Sequence, residues 1–359
     1  MVSPTLALVV QREAEIATFQ PEPFYMVELD CDGLSLAGDR KASKKEAQEA
    51  AARCQGSAAV VQSVERWEKT EKPPALFDLT TLQREANRTL GYTAQQTLDY
   101  LQALYDKKLS TYPRTDSRYL TDDMEAGVPA LVEAAASICG VTAPETVLAG
   151  QVCDSARVSD HHAVVPTASA GKADLEALPI GEREILRLVS LGLLRAVCPP
   201  CRSAETCITA VCGGDPYTVK WRSVLSPGWK VYAQTADAEA GSGPDGLTEG
   251  QTLPVAAAQV KSGKTTPPKH HTEDSLLSAM EMAGKEDMPE DAERQGIGTP
   301  ATRAAILEKT WCPAGFVERK KGKRKTVSLL PTPLGTALIT VLPEQLQSPT
   351  LTAEWEHRL

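Results

Sequence analysis

Hydrophobic positions change period several times along the chain, and each change marks an element. Leu6, Val9, Val10 and Ile16 recur at helical spacing and predict a helix over 4–18, closed by Pro21 and Pro23. Phe24 to Gly38 alternates around an Asp-Gly pair, the grammar of a β-hairpin. A short helix over 43–54 and a strand over 57–69 follow. Lys72-Pro73-Pro74 interrupts both periods, so a domain boundary is placed there.

The next segment predicts two helices, 81–90 and 94–107. Thr80 with Gln83, and Thr93 with Gln96, fit capping boxes, and Gly91 fits a terminator between them. Leu82, Ala86 and Leu90 share one face, as do Leu98, Leu101 and Tyr105. The pair reads as a helix–turn–helix or as an ordinary αα-hairpin. Pro113 forces Tyr112 into an extended conformation, so 109–113 is expected to be strand-like. A loop at Arg114-Thr115-Asp116 follows, then an amphipathic helix over 181–197.

From 203 to 262 the pattern becomes β, with strands expected over 205–212, 217–225 and 229–234. Residues 236–251 are acidic and glycine-rich and read as a loop. Helices return over 273–283 and 296–311, the second opened by Thr299 as N-cap and Pro300 in its first turn. Phe316 to Leu330 reads as a hairpin. A helix followed by this basic hairpin outlines a winged helix. Residues 351–359 read as a helix that stops without a cap, the expectation for a piece of a longer protein.

At 359 residues, with 42% hydrophobic and 24% charged, the chain has the length and core material for two or three domains and is not disordered throughout. No apolar run reaches the ~18–20 residues of a membrane helix. The N-terminus lacks a basic leader and a small-residue cleavage site, and nine cysteines then suggest reduced thiols in a cytosol. A net charge of −9 argues by itself against nucleic-acid binding, but local clusters matter more than the total. Residues 319–325 hold six cations in seven positions, and Lys107, Lys108, Arg114 and Arg118 form a second group. Each cluster alone also fits a solvated turn.

Several residues could carry chemistry. A tyrosine hydroxyl needs activation at its ordinary pKa of ~10. Arg114 falls on the same side of an extended strand as Tyr112, where it could bind a phosphate oxygen, with Asp116 holding the arginine. Asp160 to Thr167 places His161 and His162 before an apolar run. A histidine there could serve a phosphate oxygen, or simply be a hydrogen-bonded core residue. Cys198, Cys201, Cys207 and Cys212 could be read as a zinc set, but 207 and 212 fall in an expected strand, so buried thiols are preferred. Gly296 to Pro300 could offer amides to a phosphate, yet it lacks the Gly-Lys-Ser/Thr ending of a nucleotide-hydrolysing loop.

Taken together, SPTLALVVQREAEI, PPALFDLTTLQREANRTLGYTAQQTLDYLQALY, STYPRTDSRYL, DHHAVVPT, GIGTPATRAAILEK and LLPTPLGTAL resemble the type IA DNA topoisomerases, and most of all bacterial topoisomerase III. The motifs run in the family's order along nearly the whole chain. The resemblance implies an α+β multidomain toroid fragment. Its parts would be 1–24, the start of a helical domain; 25–72, the first part of a β-rich arch; 73–203, a winged-helix-like tyrosine domain; 204–262, the rest of the arch; and 263–359, a helical, winged-helix-like domain.

The same resemblance implies a function. Tyr112 matches the nucleophile that forms a 5′-phosphotyrosine and frees a 3′-hydroxyl, so that a strand can pass and the break reseal without ATP. Arg114 matches the phosphate-stabilising arginine, Asp116 its neighbouring acid and His161 the active-site histidine. His162 is given no catalytic role. Lys108, Thr115, Arg118, Thr299, Thr302 and Arg303 are candidates for DNA contact. The family's TOPRIM domain, which binds Mg²⁺, is not in these residues, so this chain is expected to bind no metal and to be inactive alone. Expected partners are single-stranded DNA, the TOPRIM segment of the same polypeptide and, in some settings, a helicase. No membrane is expected, and the expected location is the nucleoid in a bacterial cytoplasm. Two other classes compete. A relaxase or rolling-circle nickase would need a His-hydrophobic-His motif that His161-His162 does not form. A non-catalytic DNA-binding protein would be indifferent to Tyr112→Phe.

Overall fold

The computed structural model describes residues 2–233, 246–283, 297–322 and 325–348. The first stretch forms α1 (Val2–Thr18), β1 (Pro23–Cys31), β2 (Leu34–Gly38), α2 (Lys44–Cys54) and β3 (Ala58–Glu71). Then come α3 (Leu79–Leu90), α4 (Ala94–Asp106), α5 (Val128–Cys139) and α6 (Ile180–Ala196). Strands return as β4 (Cys201–Cys212), β5 (Asp215–Ser226), β6 (Thr252–Pro254) and β7 (Ala257–Lys264). The last part holds α7 (Glu273–Met282), α8 (Pro300–Ala305), α9 (Cys312–Ala314), β8 (Val317–Lys321), β9 (Val327–Pro331), α10 (Pro333–Val341) and α11 (Glu344–Gln347). The chain is α+β and divides into two compact units: Met1–Phe19 with Pro74–Cys198 and Pro268–Leu359, and Gln20–Pro73 with Pro199–Pro267.

The strand-rich unit is a seven-stranded sheet in the order β6-β3-β4-β5-β2-β1-β7. Its pairings are antiparallel. The expected Asp-Gly hairpin forms, with Asp32 and Gly33 both at positive φ, as a type I′ turn requires. Leu29, Leu36, Val61, Ile208 and Tyr217 bury one face of the sheet against Ala47, Ala50 and Cys54 of α2. The strand expected over 229–234 does not form. Pro227 removes a ladder donor, Gly228 turns left-handed at φ 50, and Gly228–Tyr232 coils into a 3₁₀ turn. Trp229 Nε1 then donates to Glu71 O at 3.1 Å, and Lys230 pairs with the Glu71 carboxylate. Cys201, Cys207 and Cys212 are buried free thiols in this unit, as is Cys198 in the other.

The helical unit has two adjoining apolar clusters. In one, Leu79, Leu82, Leu101 and Leu104 of α3 and α4 meet Ile138 of α5 and Ile185, Leu186 and Val189 of α6. In the other, Leu6 and Val9 of α1 meet Leu276, Leu277 and Met280 of α7 together with Trp311 and Leu329. The Thr93–Gln96 capping box and the left-handed Gly91 cap form as expected. The other box is two residues off. Asp78, not Thr80, caps α3, accepting from Thr81 N at 2.7 Å. Thr80 instead turns inward, and Gln83 donates to Ala94 O at 3.0 Å.

The helix expected over 296–311 is broken. α8 is short, and Ile306–Trp311 widens into a π-helical turn. Pro313, two residues beyond this turn, lacks the amide an α-helix would use there. β8 and β9 form the expected hairpin, pairing Val317 with Pro331 through Lys321 with Val327. The loop expected over 236–251 lies partly outside the described residues, and the terminal helix expected over 351–359 lies wholly outside them.

Candidate active site

All the candidate residues lie in the helical unit, and two loops bring the motif residues together. Lys107 caps the C-terminus of α4, and Lys108 takes a left-handed φ of 61°. The Lys108 carbonyl accepts from Thr167 Oγ1 at 2.7 Å. Ser110 makes one antiparallel bridge with Pro166, flanked by backbone bonds from Thr111 N to Val165 O at 3.0 Å and from Thr167 N to Leu109 O at 3.1 Å, so 109–113 is a short strand-like edge, as expected. The prolines at 113 and 166 supply no amides with which to extend a ladder. Side chains reinforce these backbone bonds. Thr111 Oγ1 donates to Ala163 O and accepts from Val165 N, both at 3.0 Å. Thr115 Oγ1 donates to His161 O at 2.7 Å and accepts from Ser117 N at 3.1 Å.

These clasps press Tyr112 onto His161, ring centroids 4.2 Å apart and planes tilted by 41°. Tyr105, in the last turn of α4, meets Tyr112 edge-on at 5.5 Å. Tyr105 is 40% exposed, whereas Leu98 and Leu101 on the same expected face are buried. Tyr112 is half-buried, and Arg114, Asp116 and His161 are exposed.

The expected Arg114–Asp116 contact is absent among the described residues. Asp116 Oδ1 instead accepts from Ser159 Oγ at 3.0 Å. Ser159 was not identifiable beforehand, because it meets Asp116 only through the folding of the 160–167 segment. Arg114 has no ion-pair partner among the described residues and lines a cavity of about 410 Å³. Asp78, Thr115, Asp116, Asp160, His161, Glu281, Thr299 and Arg303 also line it. Burial raises the pKa of Asp78 above the usual carboxylate range, opposed by its bonds from Thr81. Tyr112 itself lines a second depression of about 580 Å³, with Tyr105, Lys108, Thr111, His162 and Thr167. The tyrosine–histidine pair therefore spans two basins, one charged and one aromatic.

The remaining candidates are dispersed around these basins. Thr299 and Thr302 cap α8 reciprocally, and Thr299 lines the cavity. Arg303 is 4% exposed and donates to Ile297 O at 2.9 Å and Thr80 Oγ1 at 3.2 Å, so it holds the cavity wall. Thr115 is buried, with its hydroxyl engaged inside the loop. Arg118 donates to Leu76 O at 3.1 Å, and Lys108 is exposed. His162 is half-buried, with Nδ1 at 2.9 Å from Ala163 O. Among the described residues, no group of three His, Cys, Asp or Glu is placed to hold a metal ion. They do not by themselves fit a magnesium site.

A family model described as DNA topoisomerase matches residues 2–359. DNA topoisomerase 3 of Bacillus subtilis (strain 168) is 36% identical over 389 residues, covering 99% of this chain and 52% of that protein. The Bacillus licheniformis DNA topoisomerase 3 is 36% identical over 383 residues, with the same coverage. Full-length topoisomerase I from Thermotoga maritima superposes with a TM-score of 0.76 at 25% identity, over 99% of this chain and 57% of that one. The chain spans about half the length of the curated relatives it matches. No described helix is long and apolar enough to cross a membrane. The chain belongs to the type IA DNA topoisomerase family and resembles its bacterial topoisomerase III members.

Proposed function

We propose that this chain carries the strand-cleaving face of a type IA topoisomerase, with Tyr112 as nucleophile. The Tyr112 oxygen attacks the scissile phosphorus and loses its proton, while the bond from phosphorus to the 3′ oxygen breaks. That oxygen leaves with the electron pair and takes up a proton. One phosphodiester replaces another, so the reverse attack by the 3′-hydroxyl reseals the strand without ATP. The observation carrying this reading is the contact of Tyr112 with His161 beside a guanidinium that has no carboxylate partner among the described residues. Arg114 can take a non-bridging phosphate oxygen and stabilise charge that grows in the transition state. His161, packed against Tyr112, would donate to the same phosphate. Asp116, tied to Ser159, fixes the loop carrying Arg114.

Lys108, Arg118, Thr299 and Thr302 would meet the backbone of a single strand, while Thr115 and Arg303 shape the wall behind it. Mg²⁺ would come with a TOPRIM segment outside these residues, which is also the partner the cleavage needs. The setting is a bacterial cytoplasm at the nucleoid, where a helicase supplying single strands is a natural companion. The test uses single-stranded DNA labelled 3′ of the break, Mg²⁺, and a separately made TOPRIM segment. Label should stay with the chain in detergent only when that segment is present, and Tyr112→Phe should abolish it. Retention of label by Tyr112→Phe would end the assignment.

A further inference from the structure

The aromatic basin beside Tyr112 is not used by the chemistry above. From it we infer a nucleobase subsite, in which a base flanking the scissile phosphate stacks on Tyr105. The inference rests on the reading of the chain as a single-strand-cleaving face.

Four observations lead to it. Tyr105 keeps 40% of its surface in solvent although its ring touches the proposed nucleophile edge-on. A large aromatic face left open beside a site is a stacking platform, because every base has a π-face. The basin, about 580 Å³, lies within the range of pockets that hold small molecules. The hydroxyls of its two threonines are already committed: Thr111 to Ala163 and Val165, and Thr167 to the Lys108 carbonyl. A base there would meet a ring but few free donors or acceptors, so the subsite holds a base without reading its identity.

The charges at the rim fit the same occupant. Lys107 is tied to Glu182. Lys108 is exposed, has no ion pair among the described residues, and is held outward by the left-handed turn that Thr167 fixes. It can meet the phosphate of the stacked nucleotide. Asp106 lines the same basin, with Oδ1 accepting from Gln102 Nε2 at 2.9 Å, and would repel a phosphate placed over the ring. The neutral base, not the backbone, therefore belongs on Tyr105.

The test measures single-stranded DNA affinity of the chain by fluorescence anisotropy. One abasic site is moved stepwise through the oligonucleotide. Tyr105→Ala should weaken binding about tenfold, and Tyr105→Phe should stay within about twofold of the unsubstituted chain. One abasic position should weaken the unsubstituted chain by a similar factor, yet have no further effect on Tyr105→Ala. Loss spread evenly over all positions would assign Tyr105 to positioning Tyr112 and overturn the subsite. Unchanged affinity in Tyr105→Ala would overturn it too, leaving the proposed function intact. Failure of the unsubstituted chain to bind any single strand would overturn both. Because Tyr105 is exposed, circular dichroism of the variants should match the parent, and Tyr105→Leu gives a second apolar replacement without a stacking face.

Discussion

His271 shows how firmly the fold can set one residue's charge. It is 5% exposed, its Nδ1 lies 3.1 Å from Ser275 Oγ, and its carbonyl accepts from Leu329 N at 2.7 Å. Burial lowers its pKa to about 4, with Arg12 adding to the shift and Glu15 opposing it. The unfolded chain therefore takes up a proton near pH 6.5 that the folded chain refuses. The stability this group contributes is present above pH 6.5 and is lost as pH falls towards 4. Glu273 and Asp78 act in the opposite sense, because burial raises their pKa values and favours the folded state at lower pH. The His271 effect is isolated by difference. Urea denaturation at pH 7 and pH 4.5 should show the parent losing roughly 2 kcal/mol more than His271→Gln. Equal losses would refute this account. At the same scale, the sequence exposed Tyr112, Arg114 and His161 through local motifs. Their holders were hidden: the Ser159–Asp116 and Thr115–His161 bonds join residues more than forty positions apart, and only the path of the chain brings them together.

Secondary structure was most legible where local chemistry alone decides it. α4, α6 and α7 follow their hydrophobic periods, and the Asp-Gly hairpin follows its turn residues. It was least legible where a distant partner competes. Thr80 satisfies the spacing of a cap, but Arg303 recruits its hydroxyl and Asp78 takes the capping role. Gly91 unites local and distant demands. It ends α3 at φ 80, and a Cβ there would sit 2.8 Å from the Lys325 carbonyl oxygen. Gly91→Ala therefore meets both left-handed strain, about 1 kcal/mol, and a backbone atom that must shift. The variant should lose about 1–3 kcal/mol in urea denaturation. A truncation of the Lys325 side chain should not restore it, because the obstructing atom is backbone. Recovery by Lys325→Ala would show that the side chain, which reaches Thr89 O, was the real obstacle.

The chain passes between its two units at Phe19–Gln20, Pro73–Pro74, Cys198–Pro199 and Pro267–Pro268. Three of the four crossings contain proline, which stiffens a connector and denies it the amides a strand or helix would need. Such punctuation is visible in a sequence. Which separated segments share a core is not, since periodicity identifies a buried face without naming what covers it; Leu6 and Val9 find Leu276 and Met280 some 270 positions away. Each unit closes its own apolar core, and this has a measurable consequence. Leu101 is fully buried within the helical unit, so Leu101→Ala should cost about 2–5 kcal/mol there. In native-state hydrogen exchange, slow amides of α3, α4 and α6 should lose protection accordingly. Those of β3, β4 and β5 should stay within about threefold of the parent, as expected for an energetically separate unit. Equal acceleration in both would mean that the two cores unfold as one cooperative body, and that four chain crossings suffice to couple them.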